Sequence, residues 1–186
     1  MYAVLRALGE LGSFGAILEV KRPEVELLDK PDGTVVETMQ RTSHDQILIQ
    51  GHLDSGALLS HHLRGGKAFP GSPGLMWRIY GETGEIQVTA SGPNLQLGYE
   101  DARIQLHRHA SGEVETVELA KDEWSELPLV AQNVARMYEA FADERAADYP
   151  DWREAVVRHR LVEELYGVER ASQERPAEYK RVGLDH

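Results

Sequence analysis

The spacing of apolar and polar residues changes period twice along the chain. Leu5 and Leu8 sit at i,i+3 and are followed by Gly9, which predicts the last turns of a helix with a glycine C-cap. The helix is short, which implies that something once preceded it. From residue 13 to 118 the texture is that of strands and turns. Residues 14–20 read as a strand, closed by Arg22 and Pro23. Segments 25–28 and 34–39 flank Lys30-Pro31-Asp32-Gly33 and predict a hairpin. Segments 46–52 and 57–64, around Leu53-Asp54-Ser55-Gly56, predict a second. Segments 76–80 and 85–90, around Gly81-Glu82-Thr83-Gly84, predict a third. Segments 102–109 and 114–119, around Ala110-Ser111-Gly112, predict a fourth. A glycine- and proline-rich loop spans 65–74. Successive hairpins need no crossover helix, so a mostly antiparallel sheet follows.

Beyond Leu127-Pro128 the period becomes helical. Val130, Val134, Met137 and Phe141 form one stripe at i, i+4, i+7 and i+11, expected to face inward. Residues 145–150 break this helix. Another begins near Asp151, with Trp152, Ala155, Val156, Leu161, Val162 and Leu165 expected inward, and stops near Gly167. The sequence therefore predicts an α+β fold: a two-layer, open-faced, predominantly antiparallel sheet with C-terminal helices on one face. Residues 1–186 read as one domain, with 171–186 as a polar tail.

Composition narrows the function. The 186 residues are 41% hydrophobic and 27% charged, enough of both for an ordinary core and a solvated surface. The net charge is −11, from 31 acids against 20 bases, which disfavours nucleic acid as a partner. Cysteine is absent, which excludes disulfides, thiolate catalysis and cysteine metal sites. No apolar run approaches the ~20 residues of a membrane span and no signal-peptide pattern opens the chain. No membrane partner is expected, and the default location is cytoplasmic.

An ordered series of motifs carries a resemblance. Asp45-Gln46-Ile47-Leu48-Ile49-Gln50-Gly51 is followed by Ser55-Gly56-Ala57 and by His62-Leu63-Arg64-Gly65-Gly66. Pro73-Gly74, Trp77-Arg78-Ile79-Tyr80-Gly81 and Gly84-Glu85-Ile86 come next. Together they resemble the carboxy-terminal domain of the Gfo/Idh/MocA oxidoreductases, in the flavour of the fungal subgroup that includes the galactose-regulon repressor. Leu8-Gly9-Glu10 at one end, and Arg158-His159-Arg160-Leu161 with Tyr166 at the other, extend the likeness weakly. The resemblance implies a fold: an open-faced sheet with flanking helices. The family's enzymes begin with a dinucleotide-binding half that contributes the catalytic lysine. Here no Gly-x-Gly-x-x-Gly follows a strand and opens a helix. Neither NAD nor any other cofactor is expected, and no catalytic residue carries over.

Several clusters remain as candidate chemistry. On one strand His61 faces away from His62 and Arg64, so the adjacent histidines make a poor metal pair. His62 and Arg64 together make a polar pair: an imidazole that moves a proton and a guanidinium that holds a carbonyl or carboxylate. Met76, Arg78 and Tyr80 share one face of a later strand; Leu75, Trp77 and Ile79 share the other. His107 and His109 lie on one face with Arg103 and Gln105. Such a pair can chelate a metal, with His52 as a possible third ligand, but a solvated polar face is the favoured reading and no metal is expected. The 65–74 loop lacks the Lys-Ser/Thr ending of a phosphate-binding loop and reads as a lid or a plain connection. Ser55 and Ser60 lack a nucleophile elbow.

The leading sequence reading is a cofactor-independent enzyme derived from an oxidoreductase domain. It would isomerise, dehydrate or cyclise a small, largely apolar molecule, in a biosynthetic pathway. His62 and Tyr80 would be catalytic; Arg64, Arg78, Met76 and Trp77 would bind substrate. The rival reading is a non-catalytic module that dimerises through its sheet or binds a protein, or that completes a separate dinucleotide-binding subunit. A homodimer through the sheet is expected on either reading.

Overall fold

The computed structural model describes residues 1–29, 32–95 and 98–173, and the side chains of all of these but 168–173. The elements in chain order are α1 (Tyr2–Leu8), β1 (Leu11–Glu19), β2 (Glu24–Leu28), β3 (Val35–Gln40), β4 (Gln46–Leu53) and β5 (Leu58–Arg64). Then come β6 (Leu75–Tyr80), β7 (Gly84–Ala90), β8 (Arg103–Arg108), β9 (Val114–Thr116), α2 (Leu129–Ala142) and α3 (Trp152–Gln173). The α+β class and the antiparallel pairing agree with the sequence, and all four predicted hairpins form. The strands, however, divide among three sheets, ordered β1-β4-β5, β2-β3 and β6-β7-β8-β9. The described residues form two compact units, one of residues 1–65 with 153–173 and one of residues 66–152.

The first unit is a two-layer structure. Ala16 lies opposite Ile49, and Ile49 opposite His61, so one face of β1-β4-β5 gathers Ala16, Leu18 and Ile49. These residues, with Leu53, pack against Leu5 of α1 and Leu161 and Leu165 of α3. Arg6 joins Glu154 at 3.0 Å, and Arg158 pairs with Glu10 while its guanidinium lies 5.7 Å from the centre of the Tyr2 ring. These contacts tie the two helices to each other as well as to the sheet. Gly51 lies opposite Phe14, beside a bulge in β1 between Leu11 and Ser13. A Cβ at this position would overlap the Ser13 carbonyl oxygen, so only glycine lets the strands approach this closely. The β4–β5 turn ends on Gly56 at φ 85°, a left-handed conformation that glycine adopts without strain.

Between β1 and β4 the chain leaves the sheet to make the β2–β3 hairpin and returns at Asp45. Asp45 is 3% exposed. Its carboxylate accepts the backbone N–H groups of Lys21 at 2.9 Å and Arg22 at 2.8 Å, and lies 3.4 Å from the Arg41 guanidinium. Both ends of the excursion are thus held by one side chain. Lys30 and Pro31 of the predicted turn lie outside the described residues.

The second unit is the β6-β7-β8-β9 meander followed by a 3₁₀ turn, Glu123–Glu126, and α2. Here the structure corrects the sequence. Val130, Val134, Met137 and Phe141 point away from the protein interior, and Phe141 is 65% exposed. The reason is polar anchoring of the opposite side. Arg136 donates twice to Asp122, at 2.6 and 2.9 Å. The Trp124 indole donates to Glu139 at 3.1 Å, and Gln132 donates to the carbonyls of Ser125 and Leu127. Ala140 is the buried residue of the helix.

α3 also departs from expectation. Leu161 and Leu165 are inward, but Trp152 is 90% exposed and Val156 and Val162 are exposed too. The helix passes through Gly167 and continues to Gln173, because a single glycine costs a helix only about 1 kcal/mol. Residues 174–186 of the predicted tail lie outside the described residues. Among the described residues no helix is long and apolar enough to cross a membrane.

Two stability tests follow. Leu161→Ala should cost about 2–5 kcal/mol in chemical denaturation, as expected for truncating a packed core leucine. Trp152→Ala should stay within about 0.5 kcal/mol. The hydrogen bond from the Lys21 N–H leads the effects that hold the Asp45 carboxyl below its ordinary value of 3.8. Its stabilisation is therefore full above that value and is lost as pH falls through the lower, folded-state value. Asp45→Asn should lower the melting temperature at neutral pH, and its gap to the parent should close in acid.

Candidate functional site

The alternation predicted for β5 is present. His61 is half-buried opposite Ile49, and burial pushes its pKa down, with the N-terminal ammonium group adding to the effect. His62 and Arg64 are exposed on the other face, opposite Leu48 and Gln46. β6 alternates as cleanly: Met76, Arg78 and Tyr80 are exposed, while Leu75, Trp77 and Ile79 are half-buried. Trp77 therefore sits on the inner face, opposite Val88, and does not share a surface with Met76 or Arg78.

The two halves of the predicted site do not share a sheet. β5 pairs with β4, β6 pairs with β7, and no ladder joins β5 to β6. His62 and Arg64 belong to the first compact unit; Met76, Trp77, Arg78 and Tyr80 belong to the second. The pairing of neighbouring strands that would put His62 and Arg64 on one sheet face with Arg78 and Tyr80 is not formed. The 65–74 segment connects the units and contains a turn closed by Ser72 N–H to the Phe69 carbonyl at 2.9 Å. Ser55 has a structural role, its hydroxyl donating at 2.6 Å to the Leu8 carbonyl at the end of α1.

The structure brings other residues to Arg78 and Tyr80. Register places Tyr80 opposite Glu85 and Glu85 opposite His107. Arg78 pairs with Glu85, which raises the guanidinium pKa and holds the Glu85 carboxyl below the usual carboxylate range. His107 and His109 add smaller effects of the same sign on Glu85. The Tyr80 ring lies 5.1 Å from the His109 ring, and the His109 ring 5.6 Å from that of His107. His52, the third ligand considered from sequence, is on β4 and not on a strand beside β8. Glu85 was the member missed from sequence. The length of the Gly81–Gly84 turn is the signal that places it opposite Tyr80.

This cluster lies open on the meander face, with Tyr80 78% exposed. An open set of charged groups can bind ions or polar groups. It lacks the enclosing walls that hold a small apolar molecule and exclude water. An apolar depression of about 220 Å³ occurs elsewhere in the same unit, lined by Met137, Tyr138, Phe141, Tyr149 and Pro150. That is below the ~300–1,000 Å³ of usual small-ligand pockets. His62→Ala and Tyr80→Phe should each leave unfolding free energy within about 0.5 kcal/mol of the parent, measured by urea titration, because neither side chain supports the core.

Comparison with known proteins agrees with the resemblance read from the motifs. The family profile described as Gal80p, C-terminal domain, matches residues 1–90. A super-repressor mutant of Gal80p from Saccharomyces cerevisiae superposes with a TM-score of 0.66 at 19% identity, covering 86% of this chain and 42% of that one. The transcriptional regulator Gal80p from Kluyveromyces lactis gives 0.63 at 20% identity, covering 86% and 38%. An aldose-aldose oxidoreductase from Caulobacter crescentus gives 0.51 at 15% identity, covering 88% and 40%. The chain thus has the fold of a portion of these proteins and spans about two fifths of their length. A search of curated proteins finds no match.

Proposed function

We propose that this chain is a non-catalytic protein-binding module whose docking surface is the uncovered apolar stripe of α2. One observation carries the reading: Val130, Val134, Met137, Tyr138 and Phe141 are all exposed along a single helix. Soluble proteins rarely leave a contiguous apolar patch of this kind without a use for it. The depression beside Phe141 and Tyr149 supplies a socket at one end of the stripe. The enzyme reading needs His62, Arg64, Arg78 and Tyr80 to converge around a substrate, and their division between two sheets lends it no support. The regulators whose fold resembles this one lend weight to a role in binding.

Charge selects the partner. Glu123 and Glu126 precede α2, and Asp143, Glu144 and Asp148 follow it. Arg136 is engaged by Asp122, and Arg145 by Glu139, Asp143 and Asp148. A second copy would bring acid against acid. An amphipathic helix with an apolar stripe and lysine or arginine flanks fits both the stripe and its rim.

The test uses a synthetic helical peptide with leucines at i, i+3, i+4 and i+7 and lysine flanks. Its controls are a scrambled peptide and one with glutamate flanks. Saturable binding of the lysine peptide should weaken with added salt and be lost in Val134→Glu/Phe141→Glu. Equal binding to that variant would overturn the reading. So would a mass in light scattering near twice that of the chain that the variant returns to one, since the stripe would then belong to a second copy.

A further inference from the structure

We propose that His107 and His109 form a two-imidazole chelate for a borderline divalent transition ion, with Cu(II) bound more tightly than Ni(II) or Zn(II). Three observations on the second unit carry it. The first is spacing. The pair lies at i,i+2 at the end of β8, with ring centres 5.6 Å apart and planes at 70°. Two imidazoles bound through nitrogen at about 2.0–2.1 Å have ring centres about 5 Å apart on a tetrahedral ion and about 4.5 Å apart at adjacent positions of a tetragonal Cu(II). The observed separation has to close by about 1 Å for Cu(II), within reach of side-chain rotation.

The second is orientation. His109 Nδ1 lies 3.2 Å from the Glu82 carbonyl oxygen. A carbonyl only accepts, so Nδ1 donates and the lone pair of the neutral ring is on Nε2. Backbone anchoring of the other ring nitrogen is the arrangement that fixes the tautomer and aim of metal-bound histidines. The Tyr80 ring packed on His109 restricts its swing further.

The third is charge. Glu85 is opposite His107 on β7, and its carboxylate interacts with both imidazoles. Arg78 holds that carboxylate outside the coordination sphere and offsets part of its charge, so the attraction of Glu85 for a cation is strongest once Arg78 is removed. Among the described residues no group of three or more histidine, aspartate or glutamate side chains is arranged to hold an ion. The two imidazoles are therefore the protein's ligands and water completes the shell. Imidazole ligands select Cu(II), Ni(II) and Zn(II) over Mg(II) and Ca(II), and the Irving–Williams order places Cu(II) first.

The experiment is calorimetric titration of the full chain with CuCl₂, NiCl₂, ZnCl₂ and MgCl₂. A high-affinity Cu(II) site at one per chain is expected, with no response to Mg(II). His107→Gln and His109→Gln should each weaken it by more than about a hundredfold, beyond the ~10–100-fold cost usual for a mere supporting partner. His62→Gln should leave it unchanged. Arg78→Gln should tighten it, because Glu85 is then released to become a third ligand. Circular dichroism melts verify that each variant is folded. Electron paramagnetic resonance of the Cu(II)-loaded parent needs no variant and should show coupling to two imidazole nitrogens. A change under twofold in both His107→Gln and His109→Gln would overturn the proposal. An equal loss in His62→Gln, or a spectrum with one nitrogen or none, would overturn it too.

Discussion

The first unit depends on a single buried carboxylate. Asp45 lies where the chain re-enters the sheet, and it binds the backbone of Lys21 and Arg22, where the chain left it. The Asp45 N–H also donates to the Glu19 carbonyl, and the Gly65 N–H to the Asp45 carbonyl at 2.6 Å. One residue therefore ties β1, β4 and the end of β5 together. A buried carboxylate survives only with such a set of donors. Without it, the β2–β3 hairpin would be a long excursion whose ends are held only by the strand ladder.

The two long helices meet their units by opposite physics. α3 puts Leu161 and Leu165 into a core with Ile49 and Leu18, so its position follows from removing apolar surface from water. α2 is set by the Arg136–Asp122 ion pair, by Gln132 donating to the Ser125 carbonyl and by the Trp124 indole donating to Glu139. Polar anchors fix direction more sharply than apolar contacts do, because hydrogen bonds demand angle as well as distance. They turn the helix so that its apolar stripe is free and only Ala140 is buried.

The legible parts of the molecule are those governed by nearest neighbours. Gly33, Gly56, Gly84 and Gly112 end turns whose strands pair as the sequence predicts, since a turn's chemistry is contained in a few residues. The alternation on β5 and β6 was legible for the same reason, and it separates His61 from His62 and Trp77 from Arg78. The division into three sheets was not, because nothing in residues 65–74 states whether β6 rejoins β5. The facing of α2 was not legible either. A period of 3.6 tells which side of a helix is apolar, not whether that side finds a partner. Convergence of His62 and Arg64 with Arg78 and Tyr80 required the first answer. Placing Tyr80 opposite Glu85 required only the register of one short hairpin, while His107 joined them through the pairing of β7 with β8 across a longer connection.

The first unit is built from two separated stretches of chain, with all of residues 66–152 between its sheet and the bulk of α3. On a ribosome adding roughly 5–20 residues each second, that interval lasts on the order of ten seconds. Throughout it Leu18, Ile49 and Leu53 have emerged, while Leu161 and Leu165, which cover them together with Leu5, have not been made. The nascent chain thus carries a partly covered apolar sheet face for a period long compared with hairpin formation. Chaperone dependence during synthesis should accordingly be set by the length of the inserted unit, and a circular permutant that places residues 153–173 ahead of Met1 would remove it.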